Sequence, residues 1–346
     1  MCATNSISDE INGMDRGYDD IAGAFMKVLV TGATGFVGRS LFQWLSRQKD
    51  CNVVGSCRDP RQVETEALPL IPVGELSAET DWHAALVDID VVVHLAARAH
   101  VLDESGGDPR AEFQRANVDG AIALANQALA AGVRRFIFIS SIGVNGNVTG
   151  EHVFSEQSAP APHAEYAHSK LEAESRLKAL LEGTAMELVI IRPPLVYAGH
   201  APGNFKRLQK LIASNIPLPF AMINNRRSMV ALENLVDFIG CCIFHPLAAN
   251  QLFLVADGVD VSTAQMVRYL AKGMDSRVIL LPVPGRLLHW GAKLLGREGM
   301  YTQLCGSLVI DSSKSRTLLG WRPPVSPEDA LVSAGRDFKA LHNAQR

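Results

Sequence analysis

A glycine-rich turn between an apolar strand and an amphipathic helix is the feature that most constrains this 346-residue chain. Lys27–Thr31 is predicted as a strand, and glycines 32, 35 and 38 follow it at a spacing of three. Gly32 permits a tight turn, Gly35 lets the backbone approach a pyrophosphate, and Gly38 lets the next helix pack close to the sheet. The N-terminus of that helix then faces the anion. The turn therefore predicts a dinucleotide-binding site at the start of the fold.

Short apolar strands alternate with helical stretches along the first part of the chain. The predicted strands are Lys27–Thr31, Asn52–Cys57, Leu70–Val73, Val91–Leu95, Arg135–Ser140 and Glu187–Ile191. The predicted helices are Phe36–Gln48, Glu79–Val87, Ala111–Ala131 and Tyr166–Glu182. Continuous apolar strands are typical of parallel sheets that are buried on both faces. The pattern therefore predicts an α/β fold with a doubly wound parallel sheet and right-handed crossovers.

The character of the chain changes twice along its length. Residues 1–25 contain five acids and one base, a net charge of −4 against −3 for the whole chain, and we expect a disordered acidic extension there. Residues 26–195 are expected to form the dinucleotide-binding domain. Residues 196–346, which are punctuated by prolines, are expected to form mainly a smaller substrate-binding lobe, with 230–256 returning to the sheet.

Composition excludes several classes of protein. About 47% of the residues are apolar and 20% are charged, which is typical of a globular protein with a sizeable core. A net charge of −3 provides no broad basic surface, so nucleic acid is not expected as a partner. No apolar run approaches the ~18 residues of a membrane span. The six cysteines form no CxxC pair or zinc spacing, which predicts no metal, no disulfides and a cytoplasmic location.

The end of the second predicted strand bears on the choice of cofactor. An acid about 20 residues beyond the glycines holds a ribose 2′-hydroxyl in NAD sites, whereas a base accommodates the 2′-phosphate of NADP. Arg58 lies at that distance from Gly38, and Ser56 could also contact a phosphate. Asp59 is adjacent, however, so a shift of one residue would reverse the preference. The sequence favours NADP and leaves NAD open.

Tyr166 and Lys170 are the pair most indicative of chemistry. Four residues apart on a helix, they share one face. An ammonium group there is expected to lower the pKa of the phenol, so that Tyr166 can act as an acid or base nearer neutral pH. Ser140 and Ser141 end a predicted strand 25 residues upstream, where a hydroxyl could polarise a substrate oxygen.

These residues together resemble a known family. The motifs that carry the resemblance are the glycine turn, His94-Leu95-Ala96-Ala97, Asn117, Ser141, the Tyr166/Lys170 pair and Arg192-Pro193. This combination resembles the extended short-chain dehydrogenase/reductase family. More narrowly, the chain is similar to its nucleotide-sugar epimerase/dehydratase group, from about residue 27 to residue 327. The resemblance implies a Rossmann fold with a smaller C-terminal substrate lobe and an active site in the cleft between them.

The resemblance also assigns roles to residues. It makes Ser141, Tyr166 and Lys170 catalytic, His94 a packed strand residue, Asn117 structural and Ser140 backbone scaffolding. The implied cofactor-binding residues are Gly32, Thr34, Gly35, Phe36, Val37, Gly38, Arg58, Glu75, Leu76, Leu95, Ala96, Ala97, Tyr166, Lys170 and Pro193. The implied substrate-binding residues are Ser141, Asn204 and Arg227. The sequence departs from the family pattern at Asn145, usually Tyr, and at Ser228, usually Asp.

Two reactions use the same implied machinery at C4 of a nucleotide-linked hexose, with UDP as the expected nucleotide. The favoured interpretation is NAD(P)-dependent 4-keto reduction in surface-polysaccharide sugar synthesis, and the alternative is a C4-epimerase that retains NAD. Dehydration is disfavoured because Ser141-Ile142-Gly143 lacks the Asp-Glu pair of the family's dehydratases. A non-catalytic dinucleotide sensor is a remote alternative, since such proteins typically lose Tyr or Lys. The family's paired helices imply a homodimer.

Overall fold

The computed structural model describes residues 25–66, 68–98 and 108–344. Apart from Phe25, the acidic extension expected at residues 1–25 lies outside these ranges. The strands are β1 (Met26–Thr31), β2 (Cys51–Cys57), β3 (Leu70–Pro72), β4 (Val91–His94), β5 (Arg135–Ile139), β6 (Glu187–Arg192), β7 (Leu195–Tyr197), β8 (Met229–Ala231) and β9 (Leu252–Leu254). The α-helices are α1 (Phe36–Leu45), α2 (Arg61–Thr65), α3 (Pro109–Phe113), α4 (Gly120–Ala130), α5 (Glu165–Leu181), α6 (Gly203–Ala213), α7 (Leu232–Phe244), α8 (Thr263–Met274), α9 (Gly285–Leu294), α10 (Glu298–Cys305), α11 (Ser313–Leu319) and α12 (Pro327–Ala344).

Seven strands form one parallel sheet in the order β3-β2-β1-β4-β5-β6-β9. The chain moves outward from β1 to β3 and then returns to place β4 on the other side of β1. This reversal creates a crevice at the carboxyl ends of β1 and β4, where open α/β sheets bind their ligands. The predicted doubly wound Rossmann sheet is confirmed.

Both faces of the sheet are covered by helices, as continuous apolar strands require. Alternate residues of β1 enter opposite cores, with Val28 and Val30 on one side and Leu29 on the other. Helices α1 and α7 cover the first face, and α4 and α5 cover the second. Strand β9 adds the seventh strand beside β6. The domain boundaries themselves stay predictions.

A third core lies outside the main sheet. It joins α6, α8 and α12 to the small parallel pair of β7 and β8, through side chains such as Phe205, Leu270 and Leu331. The lobe therefore combines α6 and α8 with the C-terminal helix α12, which packs across α8.

Two predicted helices differ from the structure. The helix expected over Glu79–Val87 is only a 3₁₀ turn at His83–Leu86. The backbone there is bound to side chains instead, since Trp82 N–H donates to Gln127 Oε1 (2.8 Å) and His83 N–H donates to Asp81 Oδ1 (2.9 Å). The helix expected over residues 111–131 is interrupted by a π-helical segment, Gln114–Asp119, which carries Asn117.

No helix in the three described ranges is long and apolar enough to cross a bilayer.

Candidate active site

The glycine turn is held by contacts that exclude larger side chains. Gly32 has a φ of 67°, and a Cβ there would lie 2.9 Å from the backbone nitrogen of Ala96, at the exit of β4. A Cβ on Gly38 would lie 2.0 Å from the carbonyl oxygen of Gly32. Glycine at these two positions therefore lets β1, β4 and the first turn of α1 approach closely.

The first turn of α1 is open to an anion. Gly35 precedes the helix and supplies no side-chain cap, so the first backbone N–H groups of α1 have no partner from that residue. Such a helix N-terminus favours a phosphate. The adjoining cavity of about 420 Å³ is lined by nine of the predicted cofactor-binding residues: Gly32, Thr34, Gly35, Arg58, Glu75, Leu76, Leu95, Ala96 and Ala97. These residues fit the adenosine and pyrophosphate part of a dinucleotide.

Three other predicted cofactor residues, Phe36, Val37 and Pro193, do not line this cavity. Phe36 packs edge-on against His200, with ring centroids 5.1 Å apart, and so connects the turn to the lobe. Val37 packs against the core under α1. The carbonyl of Pro193 accepts a hydrogen bond from Ile142 N–H (3.0 Å), which places it beside the loop that carries the predicted catalytic serine.

Arg58 and Asp59 both line the cavity, but their side chains differ in availability. Asp59 is engaged by Arg61, which holds the pKa of its carboxyl down at about 2. The exposed guanidinium of Arg58 lies 3.4 Å from Glu75 Oε1. An arginine in this position can exchange an exposed carboxylate for a phosphate at little cost.

We expect Arg58→Ala to weaken NADP(H) binding more than NAD(H) binding, because only NADP(H) carries a 2′-phosphate that loses a charged partner. The affinity for NADP(H) should fall about 10-fold, which is the effect of losing one charge-assisted hydrogen bond. Fluorescence titration of protein refolded without cofactor, with each reduced cofactor in turn, measures the effect. Arg47→Ala, an exposed arginine outside this cavity, is the matched control. Equal weakening of both cofactors would contradict a preference for NADP.

His94 is a buried strand residue. Thr31 Oγ1 accepts a hydrogen bond from Ala96 N–H (3.1 Å) and forms a second hydrogen bond with His94 Nδ1 (2.8 Å). Burial, reinforced by the charge of Lys170, lowers the pKa of His94 to about 3. The neutral ring packs against Phe136 and Phe138, and it connects the exits of β1 and β4.

Ser141, Tyr166 and Lys170 approach the carboxyl end of β5 from two elements. Ser141 Oγ accepts a hydrogen bond from Gly143 N–H (3.1 Å) and caps a short 3₁₀ turn. Tyr166 lies in the first turn of α5, and Lys170 one turn later is buried. Lys170 Nζ donates to the carbonyl of Ile139 (2.9 Å), two residues before Ser141, and lies 5.9 Å from the centroid of the Tyr166 ring.

The protonation of this pair differs from the sequence-based expectation. Burial raises the pKa of Tyr166 to about 12, where a lowered value was expected. The physical reason is desolvation of the phenol, and the nearby ammonium of Lys170 donates to a backbone carbonyl. Burial also lowers the pKa of Lys170 to about 7, against the opposing influence of Glu174. In the protein alone, the phenol of Tyr166 is therefore neutral at pH 7, and the pKa of Lys170 is close to 7.

A buried polar network that sequence analysis missed lies directly behind these residues. Glu174 accepts hydrogen bonds from Ser140 Oγ (2.5 Å) and Arg192 Nε (2.8 Å), and it pairs with a second guanidinium nitrogen of Arg192. Arg192 Nη1 donates in turn to Asn145 Oδ1 (2.9 Å). The network ties α5 to the exits of β5 and β6. Its signal in the sequence is that Glu174 follows Lys170 by four residues, on the same row of the helix.

Asn117 joins the segment after β4 to α5. Its side-chain oxygen accepts from Arg98 N–H (2.8 Å), and its side-chain nitrogen donates to Arg98 O (3.1 Å) and to Ser169 Oγ (3.0 Å). Ser169 directly precedes Lys170. The π-helical segment thus positions the wall of the cavity relative to the helix that carries Tyr166.

The two predicted substrate residues of the lobe are placed differently. Asn204, in the first turn of α6, is exposed and pairs with Gln303 of α10. Arg227 is buried; one guanidinium nitrogen donates to the carbonyl of Gly306 (2.9 Å), and burial lowers its pKa. Ser228, where the family pattern has Asp, donates to Asp260 Oδ1 (2.5 Å). Asp260 is therefore a carboxylate close to the position that the pattern assigns to Asp.

Within the described ranges, no group of three or more His, Cys, Asp or Glu side chains is arranged to hold a metal ion.

The fold and the open glycine turn at the sheet crevice define a dinucleotide-binding protein of the Rossmann class. The model of the NAD dependent epimerase/dehydratase family matches residues 28–246. A UDP-glucose 4-epimerase of Vibrio cholerae is 43% identical over 318 residues, which cover 91% of this chain and 96% of that protein. The chain belongs to the NAD dependent epimerase/dehydratase family, and it is an enzyme of that family.

Solved structures share the fold. The NAD complex of a UDP-glucuronic acid 4-epimerase from Bacillus cereus is 22% identical, with a TM-score of 0.72 and coverage of 92% of this chain and 99% of the other. The NADPH complex of RMD from Pseudomonas aeruginosa is 20% identical, with a TM-score of 0.66 and coverage of 91% and 100%. Either NAD or NADP is consistent with the fold, as the sequence predicted.

Proposed function

We propose that this enzyme is a UDP-hexose 4-epimerase that retains its nicotinamide cofactor. The observation that carries the proposal is the 43% identity to a UDP-glucose 4-epimerase over nearly the whole of both chains. It favours the alternative of the sequence analysis over 4-keto reduction. The polar arrangement of Ser141, Tyr166 and Lys170 at the end of β5 supplies groups suited to this chemistry.

The cofactor would lie along the carboxyl edge of the sheet. Gly32, Gly35 and the N-terminus of α1 would hold the pyrophosphate, and Arg58 and Glu75 would flank the adenosine end. Ala96 and Ala97 leave room beneath it because their side chains are small. A bound nicotinamide supplies a reversible hydride acceptor at C4 of the sugar.

The side chains at β5 would move the proton that accompanies this exchange. Tyr166 would first lose its phenol proton to solvent; as a phenolate it would take the proton of the C4 hydroxyl and later return it, while Ser141 Oγ hydrogen-bonds the same oxygen. Lys170, with its pKa lowered to about 7, can carry a positive charge when a bound group favours it. Epimerisation also requires that the ketone present its opposite face, so the sugar must turn while its diphosphate stays bound. Arg227 of the lobe is our candidate for holding that diphosphate.

The proposal is tested with purified protein and UDP-galactose, without added cofactor. We expect a mixture of UDP-galactose and UDP-glucose, because hydride leaves and returns to the same C4. We also expect the nicotinamide cofactor to be released only on denaturation. Product formed in heavy water should carry no deuterium at C4. Stoichiometric consumption of NAD(P)H on a 4-keto sugar nucleotide, with no epimer formed, would instead establish a reductase.

Three finer expectations stay predictions: a homodimer through the paired helices, a role in surface-polysaccharide synthesis and a cytoplasmic location. The homodimer is checked by sedimentation equilibrium.

A further inference from the structure

Helix α9 presents its apolar side outward. Leu287, Trp290 and Leu294 are 60%, 66% and 73% exposed, and they fall within an arc of about 60° on the helix. Leu288, on the other side, packs into the core of the lobe. The helix is therefore attached to the protein by its less apolar face, which is the reverse of an ordinary surface helix.

Two other segments of the lobe also expose apolar side chains. Ile279 and Leu281 are 58% and 43% exposed, while the residue between them packs inward. The backbone at these positions is bonded to Leu218 and Ala221, in a segment whose Met222 is 55% exposed. Nine of the nineteen large exposed apolar side chains of the described residues belong to 211–222 and 279–295. Apolar side chains scattered singly need no explanation, but such a concentration marks an interaction surface.

The charged residues within these segments are all basic, and an acid, Glu298, follows the second of them directly and lies 3.9 Å from His289 of α9. Residues 203–222 and 276–297 contain seven Lys and Arg and no Asp or Glu, in a chain whose net charge is −3. All seven cations are exposed. On α9, Arg286 and Lys293 form a row next to the apolar arc, within about 60° of Trp290. We call the set of Leu287, Trp290, Leu294, Arg286 and Lys293 the α9 face.

We propose that the α9 face docks the enzyme on the surface of a bilayer that contains anionic phospholipid. An interfacial helix of this kind buries an apolar stripe with Trp at the level of the headgroups, and its Lys and Arg attract anionic lipid. A second copy of the chain fits less well. A two-fold contact through this face would bring the cations of both copies into one interface without an acid from these segments to pair with them. The proposal does not depend on which sugar nucleotide the enzyme converts.

The test is sedimentation of the full-length enzyme with phosphatidylcholine vesicles, and with vesicles that also contain phosphatidylglycerol. We expect binding to the second kind only, weakening as salt is added. Arg286→Gln and Lys293→Gln should each lower binding about fivefold, the effect of one cation near an anionic surface. Trp290→Gln should lower it about tenfold, since an apolar group no longer leaves water. Arg286→Lys keeps the charge and should restore binding.

Matched controls lie outside the two segments. Val259→Gln alters an equally exposed apolar residue, and Lys178→Gln removes an exposed cation from α5, and both should bind like the parent protein. Turnover of a soluble UDP-hexose should be unchanged in every variant, which separates docking from catalysis. Absent binding, equal binding to both kinds of vesicle, or variants indistinguishable from the controls would overturn the proposal. So would an oligomer in lipid-free solution that Trp290→Gln dissociates, because the partner would then be a second copy.

Discussion

Replacing Tyr166 with phenylalanine is expected to lower kcat about 10²–10⁴-fold, the usual contribution of a general acid or base. The substitution removes one hydroxyl and keeps the ring that packs against Phe113, so the protein should fold and bind its cofactor normally. Because phenylalanine has no hydroxyl that can ionise, the lost rate should not be recovered by raising the pH. Steady-state kinetics on UDP-galactose measures the effect.

Companion variants separate the roles of the three residues. Ser141→Ala should lower kcat with cofactor binding intact, whereas Lys170→Met should lower both, since Lys170 lies between the phenol and the strand end that borders the cofactor. Tyr269→Phe, which removes a phenol hydroxyl from the lobe, is the matched control and should keep its activity. Near-normal turnover in Tyr166→Phe would show that another group in the cleft moves the proton.

Replacing Glu174 with alanine is expected to destabilise the protein by about 3–5 kcal/mol, the cost of removing one partner of a buried ion pair. Among the described residues, Arg192 would keep only Asn145 as a side-chain partner, and Ser140 would lose its acceptor. Denaturation with urea measures the free energy of unfolding. Glu172→Ala, on the exposed side of the same helix, should change it by less than about 0.5 kcal/mol.

A second substitution distinguishes a lost contact from a stranded charge. If Glu174→Ala loses stability because Arg192 is then buried without a partner, combining Glu174→Leu with Arg192→Leu should restore part of the free energy of unfolding. A loss in the single variant no larger than that of Glu172→Ala would mean that the pair is solvated in solution.

Most of the fold could be predicted from the sequence because its main elements are locally determined. The glycine spacing and the unbroken apolar strands each follow from steric or burial requirements within a few residues. The region around Trp82 could not be predicted in this way, since a side chain 45 residues away, Gln127, takes its backbone N–H. Such a tertiary contact overrides the local helical propensity of the segment.

The candidate site shows a similar division. The spacing of Tyr166 and Lys170 is visible in the sequence, but the partner of Lys170 is a carbonyl on β5, contributed by residues 31 positions earlier. The direction of the Tyr166 pKa shift depends on burial, which cannot be inferred from spacing. The motif likewise does not distinguish epimerisation from reduction, because both reactions use the same three side chains.

The position of α7 and β9 in the chain has a consequence for synthesis on the ribosome. A nascent polypeptide that has emerged up to β8 already contains six strands of the large sheet, yet the face later covered by Leu235, Phe238 and Ile239 is still bare. Such exposed apolar surface is what chaperones bind. Maturation of the dinucleotide-binding half must therefore wait for sequence translated after part of the lobe, and a product that terminates before α7 should be retained by chaperones or degraded.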